Sequence, residues 1–189
     1  GALVVNSGKL INTGSVTDAV GTDVAGGARL VNFADIRSPL AVQAGGNLTN
    51  MAGATTRDVA NAGVVSNFGM TRAVDNQAGA TFNNQVGGRT GDVANAGTFS
   101  NSGQVGAVDN KAGATFANKT GSKAGDVTNA GSFTNAGRVV LVDNQAGATF
   151  ANKVGGITGD VANDGLLSNA GRVGAVDNGA GATFSNLAG

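Results

Sequence analysis

The apolar positions of the chain fall into a column. Val65, Phe82, Phe99, Phe116, Phe133, Phe150, Leu167 and Phe184 stand 17 residues apart. Two residues after each comes an asparagine: Asn67, Asn84, Asn101, Asn118, Asn135, Asn152, Asn169 and Asn186. The same pair appears earlier as Leu10/Asn12, Leu30/Asn32 and Leu48/Asn50, at the looser spacings of 20 and 18, which makes eleven units. Within a unit the alternation has a period of two. Val93, Asn95, Gly97, Phe99, Asn101, Gly103 and Val105 lie on one side, and Ala94, Ala96, Thr98, Ser100, Ser102 and Gln104 on the other. In extended chain that alternation turns Phe inward and the small polar residues outward. Seventeen residues are too few for a helix-turn-helix repeat or a propeller blade. Helical repeats of about 34 residues are disfavoured because Gly and Asn punctuate the chain every few positions. The predicted fold is all-β, a parallel β-helix solenoid of eleven rungs. At about 4.8 Å per rung it makes a rod roughly 50 Å long. Residues 1–189 read as a single repeat segment, less regular over 1–46 and regular over 47–189.

A period of 34 overlies the 17. Counting from the Asp that precedes each apolar residue by seven, the next position alternates Val59, Asn76, Val93, Asn110, Val127, Asn144, Val161 and Asn178. Large beside small in successive layers predicts interdigitating side chains. The Asn column is expected to form a ladder, each amide bonded to its equivalents one strand above and below. Asn also tolerates the left-handed backbone of a corner, as does the nearby Gly. The single Phe per rung is expected to stack internally as core. Arg37 and Pro39, the chain's one proline, fall in an irregular stretch, 34–46, where a loop is expected to leave the coil.

Composition narrows the chemistry. The chain has 189 residues, 12 Lys and Arg against 12 acidic residues, and no net charge, which argues against electrostatic capture of nucleic acid or an anionic membrane. It has no Cys, His, Trp, Tyr or Glu, so disulfides, thiolate metal sites and Ser-His or Cys-His catalysis are excluded. No apolar run approaches the roughly 18 residues of a membrane-spanning helix, and no signal peptide opens the sequence. A non-catalytic protein without a cofactor is expected.

Three sets of residues are candidates for chemistry. Asp75, Asp92, Asp109, Asp126, Asp143 and Asp160, with Asp58 and Asp177, form a column that raises metal binding. The runs from Gly87 to Val93 and from Gly155 to Val161 resemble calcium-binding nonapeptide repeats in their Gly-Gly and Asp placement, but the period is 17. Stacked at about 5 Å in water, neighbouring carboxylates repel by only about 0.8 kcal/mol before screening, so exposed Asp needs no cation. Paired Asp could serve acid-base catalysis, but the interchangeable rungs offer no cleft, and Ser122/Lys123 reads as a polar turn. The third set is the outward strip beside Phe. Its first column is Val64, Thr81, Thr98, Thr115, Ser132, Thr149, Leu166 and Thr183; its second is Ser66, Asn83, Ser100, Ala117, Thr134, Ala151, Ser168 and Ser185. Ala or Gly, except at Asp164, flanks it as a third column. A smooth uncharged strip of this kind is expected to contact polysaccharide or another rod, through Thr81, Thr98, Thr115, Ser132, Thr149 and Thr183. Ice binding is argued against by the mixed second column.

The units from Asn95 to Gly103 and from Asn129 to Gly137, with Asn6 to Gly14, resemble repeats of filamentous-haemagglutinin-like exoproteins of two-partner secretion, and autotransporter passengers carry comparable repeats. The resemblance implies a right-handed parallel β-helix exported to the outer surface of a Gram-negative bacterium. It would be an adhesin or stalk in cell adhesion, biofilm or virulence. Its partners would be a host or bacterial surface receptor, a polysaccharide, or other rods. The period is shorter than the roughly 19 residues of that family's best-known repeats, and the family's secretion module is not visible. Bare solenoid ends would be expected to stack end to end unless residues 1–46 cap the rod.

Overall fold

The structure, a computed structural model, describes residues 3–17 and 20–187; the end of the last unit at Gly189 lies outside them. The chain is a parallel β-solenoid of eleven turns with three sheets running its length. The first sheet has eleven strands, such as Val59–Asn61, Val74–Asn76 and Val93–Asn95. The second also has eleven, such as Val64–Asn67, Thr81–Asn84 and Thr98–Asn101. The third has eight two-residue strands, from Asp35–Ile36 to Ile157–Thr158. Each strand pairs in parallel with its equivalents in adjacent turns, so the backbone hydrogen bonds run along the rod. Among the described residues, those of 3–46 build the first two turns and begin the third in the same way, with no separate capping structure. The stretch 34–46 also stays in the coil. Pro39 sits at the corner position taken by Asp58 and Ala73 in later turns, just before the first-sheet strand. No ladder bond is required from an N–H there, so proline is tolerated.

The turns are of two alternating sizes. In one, the corners flanking the second sheet hold two residues each, Ala62-Gly63 and Phe68-Gly69; in the next they hold four, Gln77 to Ala80 and Gln85 to Gly88. First-sheet partners are therefore separated alternately by 15 and 19 residues, together 34. Second-sheet partners stay 17 apart, because each such step crosses one corner of each size. This overturns the expected large-small interleaving. Val59, Val74 and Val93 pair with one another, and so do Asn61, Asn76 and Asn95, so successive layers are alike.

The four-residue corners are β-turns closed by a bond such as Ala80 N–H to Gln77 C=O, 3.0 Å, with the third residue at positive φ, +80° at Gly79. Among the described residues only glycines take positive φ, so the left-handed role expected of Asn belongs to Gly. The core is a set of vertical files. Phe99, Phe116, Phe133 and Phe150 stack at 4.8 Å with ring planes within 10° of parallel, the strand spacing imposed on the side chains. Val59 to Val161 line the first sheet, and Ile36, Thr56, Thr71, Thr90, Val105, Ala124, Val139 and Thr158 line the third.

Candidate contact surface

Two amide ladders run inside the rod. The expected one links Asn12, Asn32, Asn50 and every later member to Asn186, each Nδ2 donating to the next Oδ1 at 2.7–2.9 Å. A second links Asn61, Asn76, Asn95, Asn110, Asn129, Asn144, Asn163 and Asn178 at 2.7–2.8 Å. The sequence hides it under the 34-residue alternation, because its members are 15 and 19 apart. The available signal was the motif Val-x-Asn, present in every turn from Val59 onward.

From Asn32 to Asn163 the second proton of the amide clamps the backbone of the next turn. In the hidden ladder it reaches the carbonyl of the first outward residue of the second sheet. Asn61 donates to Thr81 C=O at 3.0 Å, Asn76 to Thr98 at 3.1 Å, Asn95 to Thr115 at 3.0 Å, Asn110 to Ser132 at 3.1 Å and Asn129 to Thr149 at 3.0 Å. In the other ladder it reaches the third sheet: Asn84 donates to Gln104 C=O at 2.8 Å, Asn101 to Lys123 at 3.0 Å and Asn118 to Arg138 at 3.1 Å. From Asn32 to Asn169 these asparagines are buried, so their amides are fixed in a setting where an unmade bond would be costly.

The strip residues do share one surface. Thr81, Thr98, Thr115, Ser132 and Thr149 are direct register partners on the second sheet, five successive hydroxyls between Val64 and Leu166, with Thr183 one turn beyond. This column is exposed, half-buried only at Thr81. The second column, Asn83, Ser100, Ala117, Thr134 and Ala151, is half-buried, and Ser100 Oγ is covered by protein and makes no hydrogen bond. The first column therefore presents its hydroxyls to solvent and the second forms the floor beside them. The Ala/Gly file is not a third column. It falls on the corner, at the first residue of the short turn (Ala96) or the third of the long one (Gly79, Gly113).

The acidic column does not form either. The turn-size alternation places Asp75, Asp109, Asp143 and Asp177 in mid-strand on the first sheet. Asp58, Asp92, Asp126 and Asp160 fall at the corner before it. Each file repeats every two turns, about 10 Å, twice the separation expected of stacked carboxylates. Among the described residues no three acidic side chains are grouped to hold a metal. Asp92 and Asp160 accept the N–H of Ala107 and Ala175 at 2.9 and 2.8 Å, capping the next turn. Ser122 is buried and its hydroxyl, with one proton to give, lies within bonding distance of Asn118 Oδ1, 2.7 Å, and of Lys119 C=O, while Lys123 points outward, so the two are not a nucleophile and base. The described residues contain no helix long and apolar enough to cross a membrane. Comparison with protein families, with curated proteins and with solved structures finds no match.

Proposed function

We propose that the chain is part of a structural and adhesive rod, a non-catalytic segment of a large secreted or surface-attached bacterial adhesin at a Gram-negative cell surface. The second-sheet strip is its contact surface for polysaccharide. The observation that carries this reading is the file of five hydroxyls, Thr81 to Thr149, whose carbonyls are clamped from inside by the hidden Asn ladder. A clamped strand presents its side chains at a fixed 4.8 Å pitch with little ordering left to do on binding. Uncharged hydroxyls over a small-residue floor suit a neutral or weakly polar glycan, and identical turns add weak contacts along the rod.

The test is a screen of the labelled protein on a broad array of glycans and bacterial polysaccharides. Saturable binding is expected, weakened about tenfold or more, roughly 1.4 kcal/mol, when Thr115→Lys and Thr149→Lys are combined. Binding unchanged in that variant would remove the strip from the reading. No binding at high concentration would leave a stalk, whose part is to hold another domain away from the cell.

A further inference from the structure

The zero net charge conceals a segregation that only the three-sided cross-section reveals. From Val74 onward, the outward positions of the first sheet and the corner before it carry Asp75, Asp92, Asp109, Asp126, Asp143, Asp160 and Asp177, and no Lys or Arg. The outward file of the third sheet and the corner before it carry Arg89, Lys119, Lys123, Arg138, Lys153 and Arg172, and no Asp. Over the same turns the second-sheet face between them has no charge, and its other corner holds only Lys111 and Asp164; Lys9 and Arg29 stand on that face in the early turns. From Val74 onward the rod is thus a prism with one acidic, one basic and one neutral side; the earlier turns, with Arg57 and Arg72 at the first-sheet corner and Asp35 on the third sheet, do not share it.

The two charged sides match in more than sign. Each carries about one charge per turn, one every 5 Å or so along the axis. That spacing lies within the Debye length of about 10 Å at 0.1 M salt, so each side acts as a continuous line of charge. Most of these charges are also free to be used, Asp109 being the acidic-side exception through its pair with Lys111. Among the described residues, the ion pairs are Arg37–Asp35, Arg72–Asp58 and Lys111–Asp109, and the six basic groups of the third-sheet side take part in none. Shape agrees as well. At the start of the acidic side an open groove of about 750 Å³ lies over the first sheet, with Ala41, Ala60 and Ala94 on its floor and Asp58, Asp75 and Asp92 beside them. Arg and Lys on the opposite side are long enough to reach into such a recess.

We infer that a second copy of this chain is the partner: rods associate laterally, the acidic first-sheet side of one against the basic third-sheet side of the next. The contact is heterologous, so each rod added leaves one acidic and one basic side open and the array can grow. Neither side includes the hydroxyl strip, which stays displayed whether or not that strip binds glycan.

Small-angle scattering and sedimentation velocity on the whole chain test this. At about 10 mM salt, where the Debye length is about 30 Å, the cross-sectional radius and mass should rise with concentration. At 1 M, where it is about 3 Å, both should return to those of a single rod. Cross-section separates lateral contact from end-to-end stacking, which lengthens the rod without widening it. Two triple variants at exposed positions sharpen the result: Asp75→Lys with Asp126→Lys and Asp143→Lys, and Arg89→Asp with Lys123→Asp and Arg138→Asp. Each alone keeps one charged side and should remain a single rod at low salt. Mixed, they should form pairs that stop at two, because the remaining sides are close to neutral. A wild-type chain that stays single at low salt, or lateral assembly that persists at 1 M or in either variant alone, overturns the proposal.

Discussion

A buried asparagine in this rod has four things to do at once. Asn101 Oδ1 accepts from Asn84 Nδ2 at 2.8 Å and from Gly103 N–H at 3.2 Å; its Nδ2 donates to Asn118 Oδ1 at 2.8 Å and to Lys123 C=O at 3.0 Å. Leucine has similar bulk and none of these groups. Asn101→Leu leaves two neighbouring side-chain amides, the Gly103 N–H and the Lys123 carbonyl short of partners, at about 1–3 kcal/mol for each one left unsatisfied. Asn101→Asp keeps the acceptor but loses both donations and sets a carboxylate against the carbonyls of Asn118 and Lys123, so it should be the more damaging at neutral pH. Equilibrium denaturation of the two variants checks the order. A smaller loss in the Asp variant would mean that accepting, not donating, is what the ladder needs. Phe is less specific to its site: Val65 and Leu167 occupy the same file and are as fully buried as Phe116, so the file asks for apolar volume and the ladder asks for one functional group.

At the scale of the turn, two kinds of glycine do different work. Gly79 takes φ +80° with open space where a Cβ would point, so Gly79→Ala meets only the left-handed penalty of about 1–2 kcal/mol. Gly97 has ordinary φ, but a Cβ there would lie 2.4 Å from Ala80 C=O and 2.5 Å from Gln77 C=O, inside the long corner of the preceding turn. Gly97→Ala must push that corner away from the rod. It should cost more than Gly79→Ala, which thermal or denaturant midpoints would show. This nesting of short corner against long corner also explains what the sequence could and could not tell. The second sheet was legible because one long and one short corner lie between any two of its strands, keeping Phe and Asn 17 apart. The first and third sheets were not, because their spacing swings between 15 and 19. A frame fixed on 17 therefore merged two files of Asp into one column and split one file of Asn into an apparent alternation. The strip was readable for the same reason as Phe, since it lies on the second sheet. The charged sides needed the corners to be placed first.

Over the whole molecule the unit of construction is the pair of turns. A solenoid's stability is roughly a sum over units and their interfaces, so removing one whole unit should subtract from it without changing the fold. Deleting residues 93–126 joins Asp92 to Val127, keeps valine on valine and asparagine on asparagine, and restores the long-short alternation. The product should be a folded rod shorter by two strand spacings, about 10 Å. Deleting half as much, residues 93–109, keeps the 17-residue frame but joins Asp92 to Asn110. That puts an amide into the valine file beside Val74 and Ala112 where Asn95 bridges Asn76 and Asn110. An amide without partners in the core and a broken ladder together cost several kcal/mol, enough to melt the turns around the junction. A deletion of equal length placed in the second sheet, residues 100–116, joins Phe99 to Ala117 and leaves every strand its proper residues, with one turn of short-then-long corners at the junction. Circular dichroism and scattering on the three chains should thus show a folded shorter rod for the first and third and a damaged one for the second. Equal damage from both 17-residue deletions would mean that the nesting of long against short corners, which the second-sheet deletion breaks at its junction, counts for as much as the files of the core.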